Sequence, residues 1–329
     1  MNNEKIDFIV TWVDQTDSSW KEDFLRHKSN IQGLANNNDS RYRDWDQLKY
    51  WFRGVAKYAS WVNKIHFVTY GHVPSWLNIK HPKINVVKHS DYIDENYLPT
   101  FNSRVIELHF PKIASLSEKF VYFNDDFFIV NDVDKIDFFK NGKPLDYLVC
   151  NAEFGSEESP TNMNNLSLLN KLVNKRDKKL NELFNYKYCK YNIRNLLLLP
   201  WKQWTGFYES HLPQSYLKSV ISDVYNKCDS SIRFTSESKF RSKENVSHYL
   251  FRYYQLVTNN FIPKNPDDLG VFYNLSPDDI ENIKLSFKSE KVIVLNDNDS
   301  ISSIEYLSMK EELERIFIEK FPFKSEFEN

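Results

Sequence analysis

Apolar and polar positions follow two different periods along this chain, and the changes of period mark its elements. Ile6 to Val10 is a short continuous apolar run, the pattern of a strand buried on both faces, and it opens into the polar stretch TWVDQTD at residues 11–17. Asn37 to Arg43 is polar throughout and reads as a loop. From Asp46 to Trp61 the period lengthens, and Leu48, Trp51, Phe52, Val55 and Tyr58 fall on one helix face. Lys64 to Tyr70 is a second strand, broken by Gly71 and Pro74, and Ile84 to Lys88 is a third. Asn102 to Leu116 returns to helical spacing at Val105, Ile106, Leu108 and Ile113, with Pro111 expected to kink or divide it. Phe120 to Asn124 is again apolar, aromatic and strand-like. Strand, helix, strand, strand, helix, strand within about 125 residues predicts an α/β fold with a Rossmann-like, mainly parallel sheet flanked by helices.

Past residue 150 the pattern changes. Glu153 to Asn165 is polar and loop-like, and Leu166 to Leu199 is largely helical and rich in Lys and Asn. The expectation is one domain over residues 1–329 with a mostly helical insertion at about 153–200 that covers the core. Two more helices are predicted: His211 to Tyr225, opened by Pro213, and Asn245 to Thr258, capped by Asn245. Lys291 to Leu295 is a strand ending in Asn296, Asp297, Asn298 and Asp299. Ile304 to Phe323 forms an amphipathic helix with Leu307, Leu313, Ile316 and Phe317 on its apolar side, expected to pack on its own domain, with a partner or membrane surface as the other reading.

Composition narrows the function classes. A net charge of −2 argues against a polyanion-binding tail and against a nucleic-acid partner. Cys150, Cys189 and Cys228 are odd in number and lack CxxC spacing, which suggests a reducing compartment and neither a disulfide framework nor a structural zinc site. The segment MNNEKIDFIV has no signal-peptide layout, and no run of about 18 apolar residues is long enough to span a bilayer. A cytoplasmic location is expected, with peripheral contact at the inner membrane face as an option.

Four places set polar residues at the ends of apolar elements. In FVYFNDDFFIVN, residues 120–131, Asp125 and Asp126 stand between two apolar runs. An adjacent acidic pair there is costly to desolvate unless a cation offsets it. In open α/β sheets ligands gather at the carboxyl ends of strands, so a Mg²⁺ or Mn²⁺ site is one reading and a solvated turn between strands is the other. Thr11, Trp12, Val13, Asp14 and Asp17 follow the first strand, where Trp12 suits base stacking or plain core packing. In LPTFNSRVIE, residues 98–107, Thr100, Asn102 and Ser103 suit helix capping, with an anion at the helix start as the alternative. Between Trp204 and His248, a neutral His211 at a helix start would suit proton abstraction, although a lone His is often structural. Arg233, Lys239, Arg241 and Lys243 then precede the helix expected at Asn245, as a phosphate clamp or a solvated basic loop. Finally VLNDND, residues 294–299, offers Asn296 and Asp297 to the acidic pair if the two strands are neighbours.

Together these blocks, in this order, resemble the Stealth family of sugar-1-phosphate transferases, which includes bacterial capsular polysaccharide phosphotransferases and the α/β subunit of the lysosomal-enzyme GlcNAc-1-phosphotransferase. The resemblance is carried by residues 6–20, 43–128, 206–256 and 292–299, and not by the 150–200 region. Gln15 departs from the Gly expected after TWVD. The resemblance implies transfer of a hexose-1-phosphate, of GlcNAc-1-P or GalNAc-1-P type, from a UDP-sugar to a hydroxyl of a glycan acceptor, leaving a phosphodiester and releasing UMP; a lipid-linked acceptor is one option for an enzyme at the inner membrane face. It implies His211, Arg241 and Asp126 as catalytic residues, and Mg²⁺ or Mn²⁺ at Asp125, Asp126, Asn296 and Asp297. Substrate would meet Thr11, Trp12, Val13, Asp14, Asn102, Ser103, Arg104, Asn124, Arg233 and Lys239. The alternatives are a conventional metal-dependent glycosyltransferase releasing UDP and a non-catalytic glycan-binding protein.

Overall fold

A computed structural model describes residues 4–28, 45–156 and 159–329, and the polar loop expected at 37–43 lies outside them. The apolar runs become a five-stranded sheet of β1 (Ile6–Thr11), β2 (Ile65–Thr69), β3 (Ile84–Lys88), β4 (Lys119–Asn124) and β8 (Gln214–Leu217), in the order β3-β2-β1-β4-β8. The first four strands run parallel and β8 is antiparallel at one edge. Alternate residues serve opposite faces: Phe8, Val10, Phe67, Val121 and Phe123 enter one apolar cluster, while Ile9, Val68, Phe120 and Tyr122 enter another. Both faces are covered, which is why these strands are apolar at nearly every position. Thr11 pairs with Asn124, so β1 and β4 end side by side at the carboxyl edge.

Immediately after Asp125 and Asp126 the chain leaves this sheet. β5 (Phe127–Ile129) joins β10 (Gly270–Asn274) and β11 (Val292–Asn296) in a second sheet of order β10-β11-β5. A third, small sheet holds β6 (Phe139–Lys140), β7 (Lys143–Asp146) and β9 (Ile262–Pro263). The helix Leu48–Tyr58 packs on β5, and Gly54 permits the approach: a Cβ there would stand 2.3 Å from the Ile129 carbonyl oxygen. The C-terminal helix Ser303–Lys320 lies on the same cluster, with Phe317 stacked on Tyr50 at 4.8 Å and edge-on to Phe128 at 4.7 Å. Its buried residues are Met309, Leu313, Ile316 and Phe317, whereas Leu307 points outward, against expectation.

Several other boundaries differ. Pro111 does divide its helix, giving Ser103–Leu108 and a 3₁₀ turn at Phe110–Lys112. The loop expected at 153–165 is overturned in part: a helix spans Ser159–Leu172, burying Thr161, Asn165, Leu166 and Leu169. Pro213 does not open a helix. Residues 214–217 instead pair with β4, setting Tyr216 against Phe120, and the helix begins only at Lys218. A proline lacks the N–H that a ladder needs and sits at the strand's start. Asn245 is not a helix cap, since that helix runs from Tyr249 to Val257; its side chain is used in a buried loop contact.

Candidate active site

The cavity that matters lies at the carboxyl edge of β1 and β4, encloses about 930 Å³, and is bounded on the far side by the second sheet. Thr11, Trp12 and Val13 reach it from the end of β1, and Asn124, Asp125 and Asp126 from the end of β4. Asn296 and Asp297 come from the end of β11, whose neighbour Leu295 donates its N–H to the Asp126 carbonyl at 3.0 Å. That bond fixes the Asp–Asp turn between the two sheets. Asp125 is exposed, but Asp126 Oδ1 is shut away from solvent with no hydrogen-bond partner. Burial first, then Asp125 and Asp297, push the Asp126 carboxyl well above the usual carboxylate range. A buried carboxyl oxygen without a partner, beside further carboxylates, fits a hard cation that would hold the group ionised. Among the described residues no three His, Cys, Asp or Glu side chains are already gathered as a closed cage, so the protein's part of such a shell is incomplete.

On another wall stands Arg241, whose Nη2 donates to Ser103 Oγ at 2.6 Å, with Arg104 alongside. Of the four cations noted in this region only Arg241 faces the cavity. Arg233 is exposed on the helix Asp229–Ser236 and paired with Asp229, and Lys239 donates to the Leu98 carbonyl at 2.9 Å. Neither lines the cavity: Arg233 is held to Asp229 on its own helix, and Lys239 is turned to the Leu98 carbonyl. Asn102 and Asp14 are likewise used structurally. Asn102 is fully buried, caps the six-residue helix through Arg104 N at 3.2 Å, and donates to Asn245 Oδ1 at 2.9 Å. Asp14 accepts from Thr16 N at 2.8 Å, and its own N–H donates to His72. Trp12 packs in the core, stacked on Phe67 at 5.7 Å, and also lines the cavity.

His211 also faces the cavity, but not from a helix start. It sits in the link before β8 with φ of 50°, a left-handed conformation that costs of order 1–3 kcal/mol for a non-glycine residue and marks functional sites. Its Nδ1 lies 3.3 Å from Tyr249 Oη, and its ring packs 5.2 Å from Phe272 of β10. No helix begins at His211, against expectation, so no helix dipole acts on its imidazole.

Two residues escaped the sequence reading. Glu107, on the helix Ser103–Leu108, is buried at the cavity floor. Tyr122 Oη lies 3.2 Å from its Oε1 and 2.5 Å from Asn124 Oδ1. Burial raises the Glu107 carboxyl to about 7, despite the opposing pull of Arg241, Tyr122, Arg104 and Ser103. His248, whose Nδ1 is 2.8 Å from Tyr216 Oη, places Nε2 3.8 Å from Glu107 Oε2 and is pushed down to about 3 by burial and by nearby Arg252, His211 and Arg241. The available signal for Glu107 was a carboxylate set among Val105, Ile106 and Leu108 on a short apolar helix.

A parallel α/β sheet whose strand ends present paired carboxylates opposite arginines suits the transfer of a phosphoryl or glycosyl group. Residues 41–146 match the model of Stealth protein CR2, conserved region 2. The chain is 45% identical to a capsular polysaccharide phosphotransferase of Streptococcus pneumoniae, covering 99% of each. It is 39% identical to an exopolysaccharide phosphotransferase of Lactiplantibacillus plantarum over 98% of this chain and 96% of the relative. With a receptor polysaccharide phosphotransferase of Streptococcus gordonii it shares 35% identity, over 99% of each. The chain belongs to the Stealth family and is a transferase of the phosphotransferase type.

Proposed function

We propose that this protein transfers a hexose-1-phosphate from a UDP-sugar to a hydroxyl of a glycan, leaving a phosphodiester and releasing UMP, during synthesis of a capsular or other cell-surface polysaccharide. The observation that carries this reading is the convergence, in one cavity, of Asp125, Asp126 and Asp297 with Arg241, Arg104 and His211. The relatives' names supply the polymer class. A volume of about 930 Å³ lies at the upper end of small-molecule sites and suits a nucleotide sugar meeting an acceptor.

In this reading the acceptor oxygen attacks the sugar-bearing phosphorus, and the bond from that phosphorus to the bridging oxygen of the pyrophosphate breaks. The bridging oxygen leaves with UMP. Thr11, Trp12 and Val13 hold the nucleotide, while Arg241, steadied by Ser103, and Arg104 meet the phosphates. His211 takes the acceptor proton. Mg²⁺ or Mn²⁺, held by Asp125, Asp126 and Asp297 with Asn296 nearby, would neutralise pyrophosphate charge when bound. Little covalent chemistry is asked of the protein, so positioning and charge carry the rate. The test is ³¹P NMR of a glycan acceptor after incubation with enzyme, Mg²⁺ and UDP-GlcNAc or UDP-GalNAc. A new phosphodiester resonance is expected; a glycan extended without phosphorus would overturn the reading.

A further inference from the structure

We propose that the surface around the helix Asn192–Leu198 docks on an anionic lipid bilayer. At about 100° per residue, Ile193, Leu196 and Leu197 share one side of this helix and Asn195 lies roughly opposite. Asn195 is the buried side, bonded to Cys150 N at 2.6 Å and Leu148 O at 2.9 Å. The apolar side is turned outward, with Leu196 60% and Leu197 66% exposed, and it continues into exposed Trp201 and Tyr186. Aliphatic side chains bordered by Trp and Tyr are the composition of a membrane-interface belt.

Charge identifies the partner. Residues 171–203 carry nine Lys and Arg against two Asp and Glu, in a chain whose net charge is −2. Lys179, Lys190, Arg194 and Lys202 are exposed in this same segment. Lys190 also pairs with Asp267 at 3.2 Å, and both remain exposed. The C-terminal helix offers a contrast: it too exposes Ile304, Leu307 and Ile318, but it holds five Glu against three basic residues and does not suit an anionic surface. Among the described residues no helix is long and apolar enough to cross a membrane, so the contact is peripheral. Arg194 donates to Asn151 Oδ1 at 2.6 Å, which holds the helix against the chain that follows β7 of the third sheet.

The inference stands on this surface and not on the transfer reading. Its test is sedimentation of the full chain with vesicles of phosphatidylcholine containing about 30% phosphatidylglycerol, against phosphatidylcholine alone, without nucleotide, metal or glycan. Binding to the anionic vesicles is expected, weakened about tenfold or more in 0.5 M NaCl as charges are screened. Leu196→Ser/Leu197→Ser/Trp201→Ser and, separately, Lys179→Gln/Lys190→Gln/Lys202→Gln should each cut binding about tenfold or more with unchanged circular dichroism. Failure of the wild type to bind, equal binding to neutral vesicles, or full binding by both folded variants would overturn the proposal. So would a dimer in lipid-free sedimentation velocity that the serine variant dissolves, if vesicles are not bound. Because donor and acceptor are absent, none of these outcomes bears on the transfer reaction.

Discussion

Glu107→Gln is the substitution whose effect follows most directly from the geometry. The carboxyl is buried, and its proton is held to about 7 against an ordinary value of 4.5. Between those two values the folded chain keeps a proton that the unfolded chain has released. This contribution to stability is therefore full below 4.5 and drains as pH rises through about 7, the reverse of a salt-bridged acid. The gap, at about 1.4 kcal/mol for each pH unit, corresponds to about 3 kcal/mol lost by pH 8. Gln preserves size and the amide cannot ionise, so the variant lacks this slope. Urea unfolding of both proteins in EDTA at pH 5, 6, 7 and 8 yields the difference at each pH, from which the titrating groups distant from Glu107 cancel. The variant should gain on the wild type by about 2.5 kcal/mol from pH 5 to pH 8, since part of the loss has already occurred at pH 5. A difference that stays flat, or falls with pH, would refute the claim that Glu107 holds its proton in a dry site.

Three further outcomes are expected. Activity should vanish in EDTA and return with Mg²⁺ or Mn²⁺, and Asp126→Asn should lose most turnover while keeping its thermal midpoint within a few degrees; full activity in either case removes the cation site. Arg241→Ala should weaken UDP-sugar binding and turnover together, whereas His211→Ala should keep donor affinity in calorimetric titration and lower turnover by about 10²–10⁴-fold. Arg252 holds Asp146 through bonds of 2.9 and 2.7 Å in a buried pair, so Arg252→Leu should cost about 3–5 kcal/mol in urea unfolding. Adding Asp146→Leu should recover much of that loss; a double variant no better than the single would contradict it.

The strands of the parallel sheet were legible because each is buried on both faces and so reads as an unbroken apolar run, from Ile6 to Val10 through Phe120 to Phe123. The acidic pair, Asn296 and Asp297 stood out because each follows an apolar strand directly, and Arg241 stood out only as one of a basic run. What was missed depends on partners distant in sequence. Gln214–Leu217 becomes a strand because β4 presents an unpaired edge, which no local period reveals. Asn245 looks like a cap, yet its amide is consumed by Asn102, more than a hundred residues away. Glu107 and His248 lie far apart in sequence with no local signal joining them, and only the packing of Tyr122 and Tyr216 shows them as one buried cluster. Arg233 and Lys239 illustrate the opposite error, since proximity in sequence to Arg241 does not place them on the same side of a loop.

The central claim is the bond that breaks. Attack at the sugar-bearing phosphorus releases UMP, while attack at the anomeric carbon in the same cavity would release UDP. Chromatography of the nucleotides formed from UDP-GlcNAc or UDP-GalNAc with Mg²⁺ and a polysaccharide acceptor separates the two. UMP in step with acceptor modification, absent from an Asp126→Asn control, is the predicted result. UDP as the sole nucleotide product would contradict the account.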